Sequence, residues 1–198
     1  MGAPPSGVPA VLFTADYRAS TGPPQEVIGD NVVVHEGRLR VRATTAGSDH
    51  GFAVGDSLRD AVLQADLSLS EGSDDDFYGL FIRQAAADTY YAVAFSISGE
   101  VWVRATLGGQ HLDVARGRLA PDLRWNRGLG AENRLQIVAC GPSVTVIANG
   151  MVVTGLMVDP RCKEGFCGFF LHHGGGAARA ELAASWMQAR AVFPPADE

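Results

Sequence analysis

Apolar and polar residues alternate with a period of two along most of this chain, and Gly, Asn and Ser break the runs at short intervals. From Ala61 to Ser70, Leu63, Ala65, Leu67 and Leu69 fall on one face, and Gln64, Asp66, Ser68 and Ser70 on the other. Successive strand residues point to opposite sides, so this pattern describes a strand with one buried face. After a turn rich in Gly72, Ser73 and Asp74–Asp76, Phe77–Arg83 puts Tyr78, Leu80 and Ile82 on one side. Tyr90–Ile97 sets Tyr91, Val93, Phe95 and Ile97 against Tyr90, Ala92, Ala94 and Ser96. Glu100–Leu107 sets Val101, Val103 and Leu107 against Trp102, Arg104 and Thr106, and Gln110–Ala115 turns Leu112 and Val114 inward. Successive strands joined by Ser98-Gly99 and Gly108-Gly109 turns predict an antiparallel meander.

The pattern returns after a loop, Pro121 to Glu132, that carries Trp125. Asn133–Ala139 and Val144–Asn149 are strands, and Asn149-Gly150 is a hairpin turn because both residues tolerate positive φ. Met151–Thr154 and Phe166–Leu171 are further strands, as are Val11–Thr14, Val32–His35 and Leu39–Arg42, the last two joined by Glu36-Gly37. Ala177–Phe193 departs from the pattern. It is Ala-rich, with Leu182 and Trp186 four apart, and its local propensity is helical.

The chain has 198 residues, of which 24 are Gly and 10 Pro, enough for one β-sandwich with many turns. The expected layout is a Pro-rich N-terminal extension over 1–10, one sandwich over 11–193 and a short tail over 194–198. Pro4, Pro5, Pro9, Pro194 and Pro195 suit linkers. A net charge of −6 with only 16 basic residues and no basic block argues against a nucleic-acid surface. No stretch approaches the ~20 apolar residues of a membrane helix, and the first residues lack the regions of a signal peptide. That places the protein in the cytoplasm if Met1 is the native start, and outside the cell if the chain is an excised domain. Cys162 and Cys167 flank a turn and are close enough in sequence to pair, but an odd count of three cysteines without a signal peptide favours thiols.

In order, Gly79-Leu80-Phe81-Ile82-Arg83, Tyr90-Tyr91-Ala92-Val93-Ala94-Phe95, Gly99, Asn133-Arg134-Leu135 through Gly141, Val144 to Asn149-Gly150, and Gly165-Phe166-Cys167-Gly168-Phe169 resemble small laminin G-like domains of the concanavalin A-like lectin and glucanase superfamily. The resemblance implies an all-β jelly roll, a two-sheet antiparallel sandwich with one concave sheet. It also implies that Ala177–Phe193 is a closing strand rather than a helix.

Glucanases on this fold use a Glu-x-Asp-x-x-Glu strand, whose carboxylates lie ~5–5.5 Å apart for retention or ~6.5–9.5 Å for inversion. No Glu of this chain fits that pattern, which tilts the expectation away from catalysis. Elbow, zincin and phosphate-loop motifs are absent as well, and no cofactor is implied. Asp74, Asp75 and Asp76 are a weak candidate for Ca²⁺, since hard oxygens in a loop suit that ion; a solvated turn is the simpler account. His172-His173 precede Gly174–Gly176, and adjacent strand residues face opposite ways, so these two would not chelate one ion together.

Opposite the apolar faces lie Gln64, Asp66, Phe81, Arg83, Tyr90, Trp102 and Arg104, with His111 and Asp113 on the next strand. Aromatic rings that cover sugar C–H faces, beside planar polar groups that bind hydroxyls, make this set a candidate ligand face. The expected function is a non-catalytic recognition domain for carbohydrate or a similar polar ligand, with Trp102, Tyr90 and Phe81 as platform. Two alternatives remain, the first using the same face or a sheet edge and the second residues of the same set. One is a structural or assembly domain that binds a protein partner, a homo-oligomer included; the other is an atypical glycoside-acting enzyme in which Asp66 with Asp113 or His111 supplies acid and base.

Overall fold

The computed structural model describes residues 10–18, 26–29, 31–159 and 162–192. Residues 1–9 of the N-terminal extension expected over 1–10, the tail expected over 194–198 and the linker-like prolines lie outside the described residues.

Among the described residues, fifteen strands form two antiparallel sheets packed face to face. The larger has nine strands. It runs β13 (Met151–Met157), β12 (Ser143–Ala148), β11 (Asn133–Cys140), β6 (Ala61–Glu71), β15 (Ala180–Ala191), β4 (Arg38–Ala43), β3 (Val32–His35) and β2 (Glu26–Gly29). β1 (Val11–Asp16) pairs with the second half of β15, beyond the end of β4. The smaller sheet has six, in the order β10 (Gln110–Arg118), β9 (Glu100–Leu107), β8 (Thr89–Phe95), β7 (Phe77–Ala86), β14 (Gly165–His173) and β5 (Ser48–Leu58). The alternation sets the core between them: Leu63, Leu67, Leu135, Ile137 and Leu182 from the larger sheet meet Tyr78, Leu80, Val93, Phe95 and Phe169 from the smaller. Trp125 closes one end. Its ring stacks on Phe95 with centroids 4.6 Å apart, and its Nε1 donates to the Ser96 carbonyl.

The hairpin dipeptides do what their chemistry demands. Asn149 and Gly150 have φ of 48° and 84°, and Glu36 and Gly37 have 50° and 71°, the paired left-handed residues of a tight hairpin turn.

Two expectations change, the extent of the meander and the burial of Leu112 and Val114, and two open alternatives are decided. The meander spans β7 to β10 only, because β6 pairs with β11 and β15 in the other sheet; the Gly72–Asp76 segment therefore crosses between sheets. Ala180–Ala191 is strand, the outcome implied by the resemblance rather than by helical propensity. Leu112 and Val114 are 53% and 42% exposed, since β10 is an edge strand whose register slips between Asp113 and Ala115. No disulfide joins Cys162 and Cys167; burial pushes the Cys167 thiol up to about 12.

Gly168 lies where β14 is squeezed between β7 and β5. A Cβ there would sit 1.9 Å from the Phe52 carbonyl oxygen and 2.8 Å from Ala53 Cα. Both are backbone atoms that cannot step aside. Gly168→Ala is expected to cost more than about 3 kcal/mol, measured as a fall in the denaturant midpoint; an unchanged midpoint would refute the close approach.

Candidate functional site

The outward face of the six-stranded sheet carries a second buried aromatic cluster, separate from the core. Phe77, Phe81, Trp102 and Phe170 lie there with Ala92 and Ala94, and Tyr90 packs against them. An outward face is normally open to water, and the pairing register explains why these rings are covered. One cross-strand row reads Asp113, Arg104, Ala92, Phe81, Gly168 and Ala53; the next reads Arg116, Trp102, Ala94, Gly79, Phe170 and Gly51. Glycine and alanine flank the large rings: Ala92 and Gly168 stand either side of Phe81, and Ala94 and Gly79 lie between Trp102 and Phe170. The large side chains lie over these small ones and shield each other.

A charged group sits at one margin of the rings. Asp49 Oδ1 accepts from Arg104 Nη2 at 2.8 Å and from His172 Nδ1 at 2.7 Å, while Tyr90 donates to Oδ2 at 3.3 Å. A carboxylate can only accept, so His172 carries its proton on Nδ1. The 3.5 Å approach of Arg104 Nη2 to that nitrogen is thus a meeting of two donors at one oxygen. Burial acts to raise the Asp49 carboxyl pKa, but the His172 hydrogen bond and the Arg104 charge outweigh it and hold the pKa below the ordinary value. Arg104 lies over Trp102, its Cζ 4.0 Å from the ring centroid, and among the described residues its buried Nε has no hydrogen-bond partner. Trp102 Nε1 donates to Asp113 at 2.6 Å, and Phe77 and His172 approach the same indole edge-on with centroids 5.2 and 5.0 Å away. His111 Nδ1 lies 3.0 Å from Thr106 Oγ1.

Beside this group opens a recess of about 230 Å³, lined by Asp49, His50, Gly51, Phe81, Gln84, Ala87, Tyr90 and Phe170. Pockets for drug-sized ligands run to roughly 300–1,000 Å³, so this one suits a single ring. Its walls combine three aromatic side chains with a carboxylate and an amide.

The structure brings together six residues expected on one face: Phe81, Tyr90, Trp102, Arg104, His111 and Asp113. It separates three. Gln64 and Asp66 belong to β6, on the far side of the sandwich, where Asp66 forms a bidentate pair with Arg134 at 2.6 and 2.7 Å. Alternation marks which side of a strand is buried, not which sheet the strand joins. An acid/base pair of Asp66 with Asp113 or His111 is therefore not assembled. Arg83 is turned off the face by a bulge: its φ is 54°, and its buried guanidinium donates to the carbonyls of Cys162, Gly141 and Arg59. It ties together loops at one end of the sandwich. Trp102 is on the expected face but only 8% exposed, with Arg104 over its ring, so Tyr90 is the more accessible aromatic.

Asp49, Gly51 and His172 were not among the expected ligand residues. His172 and His173 do face opposite ways: His173 is buried against Asp76, with Nδ1 2.7 Å from Oδ1. Asp76 also accepts from the Ser73 amide and hydroxyl and the Gly174 amide, which commits both its oxygens to the protein. Asp74 and Asp75 are the remainder of the Ca²⁺ candidate. Among the described residues no group of three or more His, Cys, Asp or Glu side chains is gathered as for a metal ion, and no helix is long and apolar enough to cross a membrane.

No protein-family model matches the sequence, and no curated protein is similar to it. Solved structures do resemble the fold. The carbohydrate-binding module CBM66 from Bacillus subtilis superposes with a TM-score of 0.61 at 13% identity, covering 90% of this chain and 96% of that one. A Bacillus subtilis protein of unknown function with a galectin-like fold gives 0.61 at 12% identity, covering 92% and 96%. Xylan β-1,4-xylosidase from Bacillus halodurans C-125 gives 0.64 at 14% identity, covering 89% of this chain but 38% of the enzyme. At such identities the likeness establishes the fold, a two-sheet β-sandwich of the kind found in carbohydrate-binding modules and galectin-like proteins.

Proposed function

We propose that this chain is a carbohydrate-recognition domain of the concanavalin A-like superfamily, and that it takes one sugar unit in the recess bounded by Asp49, Tyr90 and Phe81. The observation that carries this reading is the juxtaposition of ring walls and fixed hydrogen-bonding groups in one small cavity on an outward sheet face. A sugar offers apolar C–H faces to rings and hydroxyl pairs to planar polar groups. Tyr90 supplies the first, with the buried Phe81 and Phe170 as the floor behind it, and Asp49 and Gln84 supply the second. Asp49 is held ionised and oriented by Arg104 and His172, so its geometry is set before the ligand arrives. Trp102 acts one layer back, as the surface on which Arg104 rests. Fold likeness to a named carbohydrate-binding module supports this class of ligand; the site residues are argued from their chemistry alone.

Gly51 offers a direct test. A Cβ there would meet Phe81 Cε1 at 3.3 Å, so a longer side chain at this position occupies the recess. Gly51→Leu is expected to keep the circular dichroism of the parent while losing at least about tenfold in affinity for the sugar it binds. Undiminished sugar binding by a folded Gly51→Leu protein would place the ligand elsewhere.

A further inference from the structure

The nine-stranded sheet also carries an outward face, and its register assembles a second set of sugar-type groups. Gln136, Gln64 and Gln188 form one cross-strand row on β11, β6 and β15. The adjacent row is Arg134, Asp66 and Trp186. Trp186 faces outward because of a bulge: the register of β15 against β6 shifts between Ala184 and Trp186, which sends Trp186 out and Met187 into the core. Continued alternation from Leu182 and Ala184 would have buried the indole instead.

Three features make this a ligand surface rather than a merely solvated one. Its carboxylates are already paired: Arg134 clamps Asp66 with two bonds, Arg18 clamps Asp16, and Arg38 meets Glu132 at 3.3 Å, while Arg190 on the same face of β15 donates to the Gln188 side chain. Its planar amides are available: among the described residues no hydrogen bond engages the side chains of Gln64 or Gln136. A recess of about 450 Å³, lined by Asp66, Glu132, Asn133, Arg134, Asn149 and Gly150, continues the row. A half-buried indole, its ring centroid 5.8 Å from Arg134 Cζ against 4.0 Å for Arg104 over Trp102, stands beside two open amides on a face whose carboxylates are paired, which suits a neutral polyhydroxylated chain better than a cationic partner.

We infer that this face is a second carbohydrate-contact surface, where a neutral oligosaccharide lies across β11, β6 and β15 with Trp186 as its stacking ring and Gln64 and Gln136 as its hydrogen-bonding pair. The inference rests on the carbohydrate reading of the chain but not on where the first sugar binds. Two separated surfaces would let one domain hold two segments of a polymer, which raises avidity without new contacts.

The three tryptophans separate the possibilities by nuclear magnetic resonance. Trp102 reports the first face, Trp186 the second, and Trp125, closing the core, serves as the reference. ¹⁵N-labelled protein is titrated with neutral xylo-, fructo-, galacto- and gluco-oligosaccharides. The expected result is that one series moves the Trp186 indole signal and the Gln64 and Gln136 amide signals, in the parent and in Gly51→Leu alike, while Trp125 stays still. Gln64→Ala with Gln136→Ala then weakens that binding about tenfold. Movement at Trp186 without movement at Trp102 would support this surface and remove the first site. Movement at Trp102 alone, movement at Trp186 that vanishes in Gly51→Leu, or no movement at Trp186 with any series would overturn it.

Discussion

Asp76→Ala is expected to destabilise the protein by about 4 kcal/mol, because it removes a fully buried carboxylate that serves four donors. Asp76 is 0% exposed. One oxygen takes His173 Nδ1 and the Gly174 amide, and the other takes the Ser73 amide and hydroxyl. These bonds join the segment that crosses between sheets, after β6, to the segment between β14 and β15. Alanine would leave a buried imidazole N–H and two peptide N–H groups without acceptors. The effect also has a pH signature. Burial acts to raise the Asp76 pKa, but the His173 bond and the Ser73 and Gly174 amides outweigh it and lower the value. Glu181 is lowered likewise, burial being outweighed by Arg42, Arg40 and Ser70, and so is Asp49. Unfolded Asp and Glu titrate near about 3.9 and 4.3. A lowered native pKa therefore stabilises the fold fully above about pH 5 and progressively less as pH falls through the unfolded and then the native value. Denaturant midpoints between pH 7 and pH 3 should decline on the acid side, and Asp76→Ala should show a shallower decline. A variant as stable as the parent, or one with an equally steep acid limb, would remove Asp76 from this role.

Asp49→Ala should act on both stability and binding. Arg104, 6% exposed, and His172 both direct protons at Asp49 Oδ1, and a buried cation stripped of its anion costs about 3 kcal/mol or more. The variant should also lose at least about tenfold in sugar affinity, since the carboxylate lines the recess. The two effects can be parted. Asp49→Leu combined with Arg104→Met removes both charges and keeps the volume, and should regain most of the stability while still failing to bind. If the double variant binds sugar like the parent, Asp49 is a structural residue only.

The alternation within β7, β8 and β9 was enough to place Tyr78, Leu80, Tyr91, Val93 and Val103 in the core and to set Phe81, Tyr90, Trp102 and Arg104 on the opposite side. Three things escaped it, each for a physical reason. Sheet membership depends on pairing between strands distant in sequence, so Gln64 and Asp66 were grouped with the wrong neighbours. Bulges invert the alternation without a strong local signal: Arg83 at φ 54° and the shift before Trp186 each moved a large side chain to a different side. β5 is interrupted by Gly51 and Gly55 and shows no clear apolar period, because at the sheet edge much of it meets water. Its strand character comes from β14 alongside it, and with it went unseen Asp49, the group that organises the recess.

The most direct test of the central claim, that the Tyr90 recess holds a sugar, is thermal unfolding of the parent and of Tyr90→Ala against neutral oligosaccharides. A ligand at a hundredfold excess over its Kd stabilises the native state by about 2.7 kcal/mol, which for a chain of this length raises Tm by roughly 5–10 °C. The account predicts such a rise with one sugar class, much reduced in Tyr90→Ala. No rise with any sugar, or a rise undiminished in Tyr90→Ala, would contradict it.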